Sequence, residues 1–155
     1  MRPSIIQLRQ LVFKSIHVEA VEPAADAPPG DATNFDFDGT TFRVELGSEA
    51  LPNAEDDSDP GVFVVMLRIA IDNQEGKPAP YLFDITALGL IEIDRKIDKE
   101  KRSDLAAVNG ASLIYGAIRE LVTTLTARST AGSFVLPTMD FREHLSAKGN
   151  ASQDN

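Results

Sequence analysis

The chain has 155 residues, no cysteine, and 24 acidic against 15 basic side chains, giving a formal net charge of -9 and a pI near 4.6. This length favours one domain with a modest core, and the acidity disfavours nucleic acid and anionic membranes as partners. The missing cysteines exclude disulfides and thiolate metal sites and fit a reducing compartment.

Gln7, Arg9, Gln10 and Lys14 interrupt the early apolar residues, so no secretory signal is expected and the expected location is cytoplasmic. No apolar run is read as long enough to span a membrane. Residues 7–21 alternate as a strand with Ile16 and Val18 inward. Residues 23–30, rich in Pro, Ala and Asp, read as a loop. Residues 41–46 set Phe42, Val44 and Leu46 against Arg43 and Glu45, a second strand with a polar outer face. Residues 52–60 carry Glu55, Asp56, Asp57 and Asp59 and read as a solvated connection.

Residues 61–73 form the strongest strand pattern, with Phe63, Val65, Leu67, Ile69 and Ile71 on one face. The other face, Val62, Val64, Met66, Arg68 and Ala70, is too apolar for full exposure. A turn over residues 74–78 leads into a fourth strand, residues 81–93. A long helix is predicted from about Asp104 to Arg128, because Ile114, Ile118, Leu121, Val122 and Leu125 recur at helical spacing. No charged side chain lies between Asp104 and Arg119, and a helix so bare of polar cover implies a second apolar surface buried by oligomerisation. Asp140, with Glu143 three residues on, marks the start of a short second helix. The fold class is therefore α+β: a four-stranded antiparallel sheet with a long and a short C-terminal helix on one face. Residues 1–146 make a single domain and residues 147–155 a flexible polar tail.

Phe35-Asp36-Phe37-Asp38-Gly39-Thr40 matches the Asp-x-Asp-Gly-Thr signature of haloacid-dehalogenase-type phosphotransferases. That chemistry needs the two carboxylates at the end of a buried parallel strand with a helix following. Residues 31–34 do not form such a strand, and residues 42–46 alternate rather than coil, so the segment is read as a turn. The acidic residues 55–59 lack EF-hand spacing, since Arg68 stands where the closing glutamate would be. His17 and His144 have no ligand-type neighbours in sequence. No catalytic cluster, nucleotide loop, metal site or cofactor is expected.

Arg119-Glu120 midway along the helix, Gly132, the strip Phe134-x-Leu136-Pro137 and then Asp140-Phe141 together resemble the C-terminal half of the SecB export chaperones. Residues 14–20, 62–71 and 82–93 are similar to that family's first, central and fourth strands, so the resemblance runs from Gln7 to Leu145. It implies a dimer of dimers with the long helices sandwiched between two eight-stranded sheets. It also implies an ATP-independent holdase that binds unfolded precursor proteins and delivers them to the SecA motor. SecA-facing positions fall on Ser15, Glu19, Leu82 and Asp84; an acid is usual at the first of these, and Ala111 and Gly116 stand where the family has proline. SecB-like proteins that guard the antitoxin of a toxin–antitoxin system are the alternative the resemblance implies. A holdase needs exposed apolar surface with enough charge to stay soluble. The residues expected to contact clients are Leu88, Leu90, Phe134, Val135, Leu136, Met139 and Phe141. A small-ligand carrier enclosing the gap between helix and sheet, and an adaptor for one folded partner, also fit the composition.

Overall fold

Apolar residues two apart along the chain, changing to helical spacing after residue 98, build a single antiparallel sheet followed by a long helix. In the computed structural model the strands are β1 (Ile6–Ala20), β2 (Arg43–Ala50), β3 (Val62–Ile71) and β4 (Tyr81–Ile93), and the helix is α1 (Lys99–Thr126). The structure describes residues 2–23, 25–26, 32–52 and 58–143. The strand order is β1-β4-β3-β2, which puts the β3–β4 hairpin in the centre and leaves β1 and β2 as edges. Asn73 closes that hairpin from a left-handed conformation (φ 56°), its side-chain amide donating to the Ala79 carbonyl and accepting from the Ala79 N–H.

The register places Phe63 opposite Ile91, Leu67 opposite Ala87 and Ile69 opposite Ile85, so the two apolar series share one face. All six are buried beneath α1, which contributes Ala106, Ala111, Ile114, Ile118 and Val122. On β1, Val18 lies opposite Phe83 and Ile16 opposite Ile85, hence on this same face. Val18 is half-buried, whereas Ile16 stays 48% exposed at the open edge of the sheet. Bulges between Leu8 and Gln10 and between Phe13 and Ser15 each insert one residue, so the alternation along β1 slips twice.

Small residues let helix and sheet approach closely. A methyl group added at Gly110 would lie 2.9 Å from both Val65 and Ile91, and one at Gly89 would lie 3.0 Å from Ile114. Gly116, on the opposite side of the helix, has nothing within 4 Å. Gly110→Ala is therefore expected to lower stability by about 1–2 kcal/mol, because overpacking exceeds the gain in helix propensity. Gly116→Ala, which meets nothing within the protomer, should raise protomer stability by about 0.5–1 kcal/mol. Urea unfolding of the two variants checks the contrast, and equal midpoints would contradict the close approach.

Several expectations change. Helix α1 begins at Lys99 rather than near Asp104, because the doubly charged stretch is itself helical and sends one member, Arg102, into the interior. By length and composition α1 could cross a membrane, yet its buried face is pressed on the sheet. After a turn at Gly132 (φ 84°), residues 133–141 run back along α1 in an extended course. A stripe of helix side chains holds them by main-chain atoms, two carbonyls and one N–H. Tyr115 Oη donates to Pro137 at 2.6 Å and Arg119 Nε to Leu136 at 2.8 Å, while Thr126 Oγ1 accepts from the Phe134 N–H at 2.8 Å. Burial pushes the Tyr115 hydroxyl well above its ordinary pKa, so it remains a donor. Asp140 accepts from the Arg142 N–H, and residues 142–143 start a helical turn. The remainder of the expected second helix, and the tail 147–155, lie outside the described residues.

Candidate functional site

Among the described residues no helix or loop lies across the face of the sheet turned away from α1, and strand alternation decides what it shows. From β4 it presents Leu82, Asp84, Thr86, Leu88 and Leu90; from β3, Val64, Met66, Arg68 and Ala70. Cross-strand register sorts these into two halves.

The first half is charged. Glu19 lies opposite Leu82, and His17 opposite Asp84, so the three positions Glu19, Leu82 and Asp84 do come together. The charge of Asp84 is not free. Arg68 clamps Asp84 with two parallel bonds, Nε to Oδ1 at 2.9 Å and Nη2 to Oδ2 at 2.6 Å, and reaches Glu45 with Nη1 at 2.7 Å. The Arg68 fork holds the Asp84 carboxyl below the usual carboxylate range, against a smaller opposing effect of burial. Glu19 lies 3.3 Å from His17 Nε2. Ser15 is exposed opposite Thr86 and lines, with Lys14, Glu45, Met66 and Arg68, a shallow groove of about 410 Å³.

The second half is apolar. Met66 pairs with Leu88 and Val64 with Leu90; Val12 of β1 continues the first row. Leu88, Leu90, Val64 and Met66 are half-exposed and Val12 is 44% exposed. Gly47, next to Met66 on β2, adds no side chain to cover the row. The patch ends at an Arg9–Glu92 ion pair.

The other residues expected to meet clients lie on the opposite side of the sheet and do not form one surface with Leu88 and Leu90. Phe134 and Leu136 are completely buried because the run alternates there and turns both inward, and Phe141, nearly buried, packs edge-on against Tyr115 of α1. They are interior residues rather than exposed contacts. Val135, facing outward, is 45% exposed, and Met139 is half-buried.

Sequence reading also passed over an aromatic cluster. Phe35 and Phe37 meet edge-to-face at 4.9 Å between centroids, Phe37 also lies 5.7 Å from Phe42, and Phe35 and Phe37 each pack at a tilt on Phe134, which in turn lies 5.2 Å from Tyr81. The three rings of the β1–β2 connection remain half-buried. The Phe-x-Phe spacing followed by Phe42 was the available signal, hidden under the Asp-x-Asp-Gly-Thr match. That match is structurally a turn: the Thr40 N–H donates to the Phe37 carbonyl, Asp36 is held by Lys77, and a strand follows where phosphotransferase chemistry would place a helix.

No family model and no curated protein sequence matches the chain. Among solved structures, it is similar to the SecB-like chaperone of Mycobacterium tuberculosis, solved in complex with a ChAD peptide from the antitoxin HigA1. The TM-score is 0.53 at 21% identity, covering 87% of this chain and 91% of that one. A protein of unknown function from Streptococcus agalactiae aligns with a TM-score of 0.48 at 14% identity, covering 85% of this chain and 96% of the other. The sheet order, the long helix across one face and the match along most of both chains agree: this protein has the fold of a SecB-like chaperone.

Proposed function

We propose that this chain is an ATP-independent holdase whose clients are aggregation-prone proteins of the antitoxin type. The observation that carries the reading is the uncovered apolar patch of Val12, Val64, Met66, Leu88 and Leu90, bounded by charges already paired within the chain. Such a surface takes up unfolded apolar chain without specifying its charge. The antitoxin peptide on the M. tuberculosis protein supports a client of that class. Delivery to SecA is the second reading. It would use Glu19, Leu82 and Asp84, but the clamp of Arg68 on Asp84 and the serine at position 15 weaken the acidic surface it needs.

The cytoplasm is the proposed location, and a dimer of dimers the proposed assembly. The open edge of β1, 15 residues long, extends the sheet to eight strands by pairing with a second copy. The outer face of α1, with exposed Leu113, Ser112 and Gly116, is left to pack against the helices of the other pair.

The test is a denatured, slow-folding protein diluted into this one without nucleotide. Near-stoichiometric tetramer, verified by light scattering, is expected to suppress aggregation. Leu88→Ser with Leu90→Ser should weaken the effect roughly ten- to a hundredfold, as two half-exposed leucines each lose about 0.7–1.4 kcal/mol of apolar contact. Unchanged suppression by the double variant would remove the patch from the mechanism. Indifference of the wild type to every unfolded chain, with tight binding to one folded protein, would make it an adaptor.

A further inference from the structure

Past the Arg9–Glu92 pair the same outward face opens into a cleft of about 680 Å³. It lies where β1 and β3 begin and β2 and β4 finish, and Pro3, Ile5, Leu51, Pro52 and Val62 are its apolar walls. Ile5 is 50% and Leu51 39% exposed, so these walls are accessible to a ligand. The outward series of the patch runs directly into the cleft: Val62 continues Met66 and Val64 on β3, and Glu92 continues Leu88 and Leu90 on β4. Arg9, the residue that the first bulge of β1 inserts, reaches Glu92 and stands with it between patch and cleft.

The charges of the cleft are unequally satisfied. Arg9 and Glu92 neutralise each other, and Arg95 is turned toward Asp59, 4.0 Å away. Asp94 accepts the Lys96 N–H on Oδ1 at 2.9 Å, but among the described residues no cationic side chain pairs with its carboxylate.

We propose that this cleft is a second client subsite, which takes a bulky apolar side chain with a lysine or arginine beside it, from the same unfolded segment that covers Leu88 and Leu90. The proposal rests on the holdase reading and adds the chemistry of the segment to it. The apolar walls call for the apolar residue, and the free carboxylate of Asp94 calls for the cation. The formal net charge of -9 favours approach of basic segments as well. Spacing follows from strand geometry. Outward residues of one strand repeat about 6.5–7 Å apart, so the cleft lies ~13 Å from the middle of the patch, a span that extended chain covers in about four residues. Contacts at both places on one chain reinforce each other, because the second forms intramolecularly.

Fluorescence anisotropy with three synthetic peptides, titrated without nucleotide, tests this. The first carries Leu-Val-Leu and, about four residues further on, Phe-Lys. The second has Phe-Gln in place of Phe-Lys, and the third Ser-Gln. Wild type is expected to bind the first about two- to fivefold more tightly than the second, and the second about tenfold more tightly than the third. Asp94→Asn, which keeps an acceptor for the Lys96 N–H, should erase the first difference and leave the other. Leu51→Ser should shrink the difference between the second and third peptides, and decides the matter if Asp94→Asn does not fold. A preference for lysine that survives Asp94→Asn would overturn the role of Asp94. Equal affinity for all three peptides, or for none of them while denatured protein is still held, would overturn the cleft as a subsite and leave the patch standing. A wild type that binds no peptide and suppresses no aggregation would remove the holdase reading and the subsite together.

Discussion

Arg102→Ala is expected to lower stability by about 3–5 kcal/mol, because it removes the buried member of an ion pair and strands the groups around it. The guanidinium is 5% exposed and donates to Asp59 at 2.5 Å, to the carbonyls of Ile97 at 2.7 Å and Arg95 at 2.8 Å, and to that of Pro60 at 3.2 Å. It thereby ties the first turn of α1 to the segments that enter β3 and leave β4. Asp98, at the helix start, makes no side-chain capping bond to the helix, so this tie matters the more there. Against a typical total of about 5–15 kcal/mol, the loss would leave a large unfolded fraction at room temperature. Arg102→Lys should recover only part, since an ammonium satisfies Asp59 without reproducing the planar fork. Urea unfolding followed by circular dichroism measures both. An alanine variant within about 0.5 kcal/mol of wild type would mean that water replaces the guanidinium without penalty.

Phe134→Ala should cost a comparable amount, about 3–5 kcal/mol, by opening a cavity among Phe35, Phe37 and Tyr81. Its neighbour provides the contrast: Val135→Ser, on an exposed side chain, is expected to change stability by no more than about 0.5 kcal/mol. A loss of holdase activity in Phe134→Ala is therefore to be read against the thermal midpoint of the same sample. If the two substitutions prove equally mild, the buried position of Phe134 is contradicted, and with it the assignment of Leu136 and Phe141 to the core.

The two central strands were legible because their alternation is clean: Phe63 to Ile71 and Tyr81 to Ile93 repeat apolar residues every second position, whereas the two bulges of β1 leave only part of its alternation readable. The start of α1 was not. Lys99, Lys101 and Arg102 look like a solvated run, and nothing local distinguishes the one cation that three carbonyls and a carboxylate will surround. The candidate site was half legible. Glu19, Leu82 and Asp84 were named by the family resemblance, and strand parity places them outward with Leu88 and Leu90, but the clamp of Arg68 on Asp84 is a cross-strand diagonal that one strand cannot reveal. Residues 133–141 misled for a related reason. An apolar run with proline and no helical period reads as exposed loop, whereas Tyr115, Arg119 and Thr126, spaced along α1, bind it down.

That binding is asymmetric, and the asymmetry bears on how the segment tolerates change. Tyr115 and Arg119 grip oxygen atoms of the main chain, so the hold does not depend on which side chains the segment carries at outward positions such as Val135 and Thr138. Proline fits at 137 for the same reason: it lacks an N–H but keeps the carbonyl that Tyr115 requires. A strand paired into the sheet would need donors and acceptors in alternation and would forbid that residue in its interior. The segment can thus diverge in sequence at its solvent side while its path stays set by three side chains of the helix, and it closes one flank of the domain without creating a new edge for another chain to extend.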